Sequence, residues 1–306
     1  RDLNKQIIDE ILKLPNFPSD NTPKGKNESE NIEIRKWGNA IKKKNIKSHW
    51  EIGEELNLFD TKRTSKISKS RFITLIGNGA RLERALINFM LDIHTNEFEY
   101  TEISPPLIVN ENVMYGTGQL PKFEEDLYKI SNDDLFLIPT AEVPITNLFR
   151  NKILNKLPVK CTSYTPCFRR EAGSYGKEVR GLNRLHQFDK VEIVQIDRPE
   201  NSYNILQDMV NHVSKILDEL ELPYRILKLC GGDLGFSSAL TFDFEVYSAA
   251  QKRWLEVSSV SNFESYQANR LKLRFRDKSG NISLCHTLNG SALALPRVYA
   301  AILENN

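Results

Sequence analysis

The chain has 306 residues, 40% hydrophobic and 27% charged, and its 42 basic and 40 acidic side chains leave a net charge of +2. That length allows one large domain or two modest ones with a sizeable core. The near-neutral balance gives no bulk-charge signal for nucleic-acid binding, so any RNA contact has to come from local patches. No apolar run approaches the ~18 residues of a membrane span. Four cysteines, Cys161, Cys167, Cys230 and Cys285, form no CxxC pair and have no histidines at ligand spacing. They argue against zinc and for reduced thiols in a cytoplasmic protein.

Residues 1–14 carry Leu3, Ile7, Ile11 and Leu14 at helical spacing among charges, which predicts the end of an amphipathic helix whose start is missing. Pro15, Pro18 and Pro23 break it, and 15–47 reads as an extended linker. Lys42, Lys43, Lys44 and Lys47 form a charge run there, read as a solvated face. The compact domain is expected over 48–306. It begins with a short helix at His49–Phe59 and a strand at Arg71–Ile76. A strong helix follows at Ala80–Glu97, with Leu82, Leu86, Met90 and Ile93 on one side.

Strands then dominate: Leu135–Ile138, Val159–Phe168, Arg184–Ile196, Tyr224–Leu229, Thr241–Val246, Trp254–Val260 and Leu271–Phe275. Helices interrupt at Glu200–Leu220 and Ser291–Glu304. Consecutive strands without intervening helices predict an α+β fold, an antiparallel sheet flanked by helices. Neither G-x-G-x-x-G nor G-x-x-x-x-G-K-[ST] occurs, so a nucleotide site must be built without the usual glycine loops.

The stretch Tyr164–Val194 reads as strand, polar loop, strand. Arg169 and Glu171 stand two apart on the first strand and share a face, as do Phe188, Lys190 and Glu192 on the second. A guanidinium can fork onto a phosphate and stabilise growing charge. An aromatic face can stack on adenine, and a carboxylate can read an ammonium or hydroxyl. A solvent-facing hairpin with cross-strand ion pairs would show the same pattern.

With its wording CFRREAG and then HQFDKVE, this stretch resembles motif 2 of the class II aminoacyl-tRNA synthetases, specifically the seryl-tRNA synthetase family. The helix at Arg81–Glu97 leading to Tyr100–Pro106 resembles motif 1, with Pro106 at the signature proline and Glu99 where glycine is frequent. The run Leu288–Glu304, beginning LNGSALALPR, resembles motif 3 with Arg297 at its arginine, although Ala292, Ala294 and Pro296 depart from the general pattern. The resemblance covers about residues 15–306.

It implies a serine pocket of Thr140, Ala141, Glu142, Glu192 and Ser291, and an ATP site of Arg169, Arg170, Glu171, Phe188, Glu256, Val257, Ser258, Ser259 and Arg297. Arg169 and Arg297 would be the catalytic cations, and Glu256 with Ser259 would hold Mg²⁺; no zinc is implied. The partners implied are L-serine, ATP and tRNA(Ser), with a homodimer and neither membrane nor DNA. Residues 1–14 would end a tRNA-binding helical arm. The segment VMYGTGQLPKFEEDLYKI also resembles the family and receives no catalytic role. His186 is read as structural, because the attacking carboxylate of serine needs no base. A ligase that loads a carrier protein, a synthetase for another amino acid and a non-catalytic RNA-binding paralogue are the alternatives.

Overall fold

The computed structural model describes residues 2–40, 45–172 and 180–306. Lys42, Lys43 and Lys44 and residues 173–179 of the expected polar loop lie outside the described residues. In chain order the elements are α1 (Asp2–Ile11), β1 (Ile32–Trp37), α2 (His49–Glu55), α3 (Thr61–Ile67), α4 (Asn78–Asn96), β2 (Thr101–Glu102), β3 (Ile108–Asn110) and α5 (Glu111–Thr117). Next come β4 (Lys129–Ile130), β5 (Leu135–Leu137), α6 (Glu142–Asn147), β6 (Ile153–Leu154), β7 (Val159–Phe168), β8 (Gln187–Asp197), α7 (Ser202–Glu219) and β9 (Tyr224–Lys228). The last are β10 (Leu240–Ser248), β11 (Arg253–Asn262), α8 (Tyr266–Leu271), β12 (Arg274–Arg276), β13 (Ile282–Leu284), β14 (His286–Ala294) and α9 (Leu295–Asn305).

The main sheet runs β1-β9-β10-β11-β14-β8-β7-β2. Its pairings are antiparallel except for β2 beside β7. One face is covered by α4, α7 and α9. Met90, Met209, Val213, Ile216 and Tyr299 pack there against Val191, Ile193, Tyr224, Phe244 and Val260. Each such side chain contributes about 1.5–3 kcal/mol by leaving water. Because strand side chains alternate, Glu192 between Val191 and Ile193 points to the other face, with Val194. That face is covered only in part: Ala141 and Ile145 pack on Val194, and Ala268 and Leu271 pack near Ile196. The uncovered middle is the cleft described below.

The antiparallel sheet flanked by helices agrees with the expected fold, and β7 matches its expected bounds. Four readings need correction. Residues 15–47 are not a free linker: Asn16 and Ser19 bond to the backbone of Phe236 and Ala239, and Ile32–Trp37 is the edge strand paired with β9. Its exposed, charged residues look like linker because an edge strand buries little. Arg71–Ile76 forms no strand, only an isolated bridge from Leu75 to Phe59. Leu271 closes α8, so the strand expected from that residue starts at Arg274.

The fourth correction concerns the expected helix from Ser291. Residues 286–294 are strand β14, and the helix starts only at Leu295, with Pro296 in its first turn. Proline favours that position because its missing N–H would be unpaired there anyway. Pairing of Ser291 and Ala294 with Glu192 and Lys190 of β8 overrides the helical propensity of Ala292, Leu293 and Ala294. Glu99 sits at φ +58, the left-handed region that favours glycine.

Candidate active site

A cavity of about 310 Å³ opens on the uncovered face, a size suited to a small molecule. Arg169, Glu171, Phe188 and Glu192 line it from the β7–β8 hairpin, Glu256–Ser259 from β11, Ser291 from β14, and Arg297 from α9. Thr140 and Glu142 close one end.

Two expected residues lie elsewhere. Ala141 is fully buried against the sheet, so it shapes the pocket wall from behind. Arg170 projects to the opposite side of the chain from Arg169. It stacks 5.9 Å above the Tyr128 ring and lines a neighbouring cavity with Arg71, Lys129 and His186. β7 ends at Phe168, so Arg169 and Glu171 do not stand on the first strand as expected. Past its end the Arg169 N–H bonds to the His186 carbonyl and the Arg170 N–H to the Asp126 carbonyl, and the two residues face different neighbours. His186 also lines that cavity, and its Nδ1 lies 3.1 Å from the Arg169 carbonyl oxygen. That contact anchors the strand next to the guanidinium and agrees with a structural role.

The deep end is a closed polar network. Lys190 and Glu192 form a buried ion pair. The Thr140 hydroxyl donates to Glu192 at 3.1 Å and accepts from Lys190 Nζ at 2.9 Å. Asn289 Nδ2 donates to the other Glu192 oxygen at 3.0 Å. Gln267 Nε2 donates to Glu142 at 2.6 Å, while Gln267 itself accepts from Thr287 at 2.7 Å. Burial pushes the Glu142 carboxyl up to about 7, against the opposing pull of Gln267. Thr140, Lys190, Glu192 and Asn289 thus hold one another in fixed positions, and Gln267 fixes Glu142 beside them, around a small, polar pocket.

Sequence reasoning put Lys190 on the right face without a role, and it missed Gln267 and Asn289. Alternation on β14, once seen as a strand, would have placed Asn289 beside Ser291. Nothing local signals Gln267, because α8 folds back from outside the motifs. Gln119, in the segment given no catalytic role, also lines the cleft.

The outer end is cationic. The Arg169 guanidinium lies 5.3 Å from the Phe188 ring centroid, and its Nε donates to the Pro139 carbonyl at 3.2 Å. Arg184 pairs with Glu171 at 2.9 Å. Arg297 donates to the carbonyls of Asn183 and Glu256, at 3.0 and 2.6 Å, and burial lowers its basicity. These bonds hold two guanidinium groups at the cleft while leaving donors free for an anion.

A register shift in β11 brings Glu256 and Ser259 together. Residues three apart on a regular strand face opposite sides. Here Ser258 pairs with Phe244 but Glu256 pairs with Glu245, so Val257 is an unpaired extra residue. This one-residue bulge turns Glu256 to the side of Ser259, and both line the cleft. Behind them, opposite Ser259, sits Asp243. Burial and the nearby Glu256 charge push its carboxyl well above the usual range, and its Oδ1 has no hydrogen-bond partner. A carboxylate, a hydroxyl and an unsatisfied buried carboxyl oxygen form an all-oxygen set that fits a hard divalent cation. Among the described residues no group of three or more His, Cys, Asp or Glu is arranged to hold a metal. Such a cation would therefore complete its shell with phosphate and water.

Fold and cleft together define a class II tRNA-synthetase core. Residues 122–306 match the family described as tRNA synthetase class II core domain (G, H, P, S and T). Over its whole length the chain is 55% identical to the serine–tRNA ligase of Prochlorococcus marinus (strain MIT 9215), spanning 72% of that protein. It superposes with a TM-score of 0.95 on seryl-tRNA synthetase from Pyrococcus horikoshii complexed with ATP, at 37% identity, covering 99% of this chain and 73% of that one. The cytoplasmic serine–tRNA ligase of Naegleria fowleri in complex with AMP gives 0.92 at 28% identity, over 99% and 73%. The chain belongs to the seryl-tRNA synthetase family.

Proposed function

We propose that this chain activates L-serine with ATP to seryl-adenylate and passes the seryl group to tRNA(Ser). One observation carries the reading: Arg169, Glu192, Glu256 and Arg297, from separate parts of the sequence, line a single cleft. Serine would lie at the deep end, its ammonium and hydroxyl among Glu142, Glu192, Thr140 and Ser291. Polar partners left unpaired by alanine reject it strongly, whereas threonine is excluded by shape. ATP would lie across the outer end. Phe188 would stack on adenine, Glu171 contact its edge, Arg169 fork onto the α-phosphate and Arg297 meet the γ-phosphate.

The serine carboxylate attacks the α-phosphorus, the bond to the bridging oxygen breaks, and pyrophosphate leaves. No base is required for this step, because the nucleophile is already ionised. Arg169 neutralises charge that grows on the α-phosphoryl oxygens, and Arg297 steadies the leaving pyrophosphate. Their contribution is positioning and electrostatics. Glu256 and Ser259 would hold Mg²⁺, which supplies further charge neutralisation on the phosphates when bound. A ribose hydroxyl of the tRNA end then takes the seryl group and AMP leaves.

The reading includes a homodimer formed through α4 and the chain following it, a tRNA-binding arm of which α1 is part, and a cytoplasmic setting. No helix is long and apolar enough to cross a membrane among the described residues. Incubation with serine and ATP should yield a chromatographically isolable seryl-adenylate, whose seryl group moves to tRNA(Ser) on addition. Absence of the adenylate contradicts the reading. Adenylate that loads a carrier protein but no tRNA replaces it with the carrier-ligase alternative.

A further inference from the structure

Among the described residues, the Glu142 carboxylate at the deep end of the cleft is held by Gln267. Its Oε1 accepts from Gln267 Nε2 at 2.6 Å, which leaves Oε2 for the cavity that Glu142 lines. Gln267 is itself buried and stands outside the cavity lining, so it reaches a ligand only through what it holds. Both sides of its carboxamide are committed. Nε2 also donates to the Thr117 carbonyl at 3.3 Å, and Oε1 accepts from the Thr287 hydroxyl at 2.7 Å. Two acceptors on one side and a hydroxyl donor on the other fix which end of the amide faces Glu142.

A neutral donor suits this position. Buried charges normally need a partner, but Lys190 is already paired with Glu192, and Arg169 is held at the Pro139 carbonyl. A lysine or arginine in place of Gln267 would cancel the Glu142 charge and compete with an incoming ammonium. An amide fixes the carboxylate by a charge-assisted bond and leaves its charge uncancelled. This bond opposes the effects of burial and of the nearby Glu192, and so favours the ionised form; Lys190 and Arg169 pull the same way. The Thr117 bond adds a second wall. Thr117 closes α5, Gly118 follows at φ +85, and Gln119 then lines the cleft. One amide therefore holds both the carboxylate and the turn that brings Gln119 in.

We propose that Gln267 is the positioning residue for the amino-acid substrate: it aims Glu142 at the ammonium and fixes the turn at 117–119 beside it, without touching the ligand. Its role rests on the proposed seating of serine at the deep end, and it adds to that seating a residue from outside the cavity that governs it.

The test is the serine affinity of the intact chain, titrated calorimetrically without ATP from pH 6 to pH 9, with AMP affinity measured on the same samples. Gln267→Met keeps the length and removes the amide. It should weaken serine about tenfold or more at pH 7, the effect of losing a hydrogen bond to a charged group, and leave AMP within twofold. Without the donor Glu142 keeps its proton to higher pH. The pH at which serine binding strengthens should therefore rise from about 7 by about one unit. Thr287→Val, which releases the amide without removing it, should give the same split at about threefold, and it stands in if the methionine variant does not fold. A residue that serves only packing would lower the urea midpoint and leave the pH midpoint of serine binding where it is.

Serine affinity within twofold of the parent in the variant that folds overturns the proposal, as does a weakened affinity whose pH midpoint has not moved. Parent binding that Glu142→Gln leaves unchanged overturns the seating of serine at Glu142, and the proposal with it. The parent and Glu142→Gln alone thus tell the two failures apart.

Discussion

Glu142 is the cleft residue whose protonation changes near neutral pH. Burial raises its carboxyl to about 7 from the ordinary carboxylate range near 4.3. Between those values the folded chain keeps a proton that the unfolded chain gives up, so this residue's contribution to stability falls as pH rises through that window. On a placement of the serine ammonium against Glu142, binding has the opposite sign, because an ammonium needs the ionised carboxylate. With a carboxyl near 7, the ionised fraction grows about tenfold from pH 6 to pH 8. The dissociation constant for serine, titrated calorimetrically without ATP, should tighten by about that factor, and Glu142→Gln should abolish the trend. A flat profile in the parent chain would show that Glu142 does not face the ammonium.

The neighbouring Arg169 and Arg170 show what single-residue reading resolves and what it does not. Both stand in the quoted motif, yet past the end of β7 one turns to the cleft and the other lies over Tyr128, its amide bonded to the Asp126 carbonyl.

At the scale of elements, strongly periodic segments were legible. The expected helix at Ala80–Glu97 is α4 (Asn78–Asn96), because Leu86, Met90 and Ile93 recur on one face and are buried there. The pair Glu256 and Ser259 was not derivable from periodicity, since a bulge is set by pairing with β10 and leaves no mark in β11 itself. Strand β14 escaped for the same reason: its partner β8 is about a hundred residues away.

Distant pairing also ties the chain's end to the site. His49 Nε2 accepts the Leu182 amide proton at 2.9 Å, which leaves Nδ1 as the nitrogen that donates to Glu304 at 2.7 Å. Ser248 donates to Glu304 as well, and Leu182 lines the cleft. Removing the carboxylate strands these buried donors, a loss of about 2–3 kcal/mol. Glu304→Ala should therefore lower the urea midpoint by the corresponding amount at unchanged slope. An unaltered midpoint would show that the contact contributes nothing to stability.

For the whole molecule, the decisive property is that three long helices cover one sheet face and leave the middle of the other open. The class of fold followed from consecutive strands without intervening helices, and the site followed from motif wording. The polar network at the deep end of the cleft did not, because Gln267 and Asn289 acquire meaning only once α8 and β14 fold into place around it. The most direct measurement of the central claim is amino-acid-dependent exchange of pyrophosphate into ATP, compared for serine, threonine, alanine and glycine. Serine should drive exchange strongly and the other three weakly or not at all. Arg169→Ala should cut the serine rate by about 100-fold or more, as loss of a group that meets developing charge does. Exchange driven as well by alanine or threonine as by serine, or a near-normal rate in Arg169→Ala, would contradict the account.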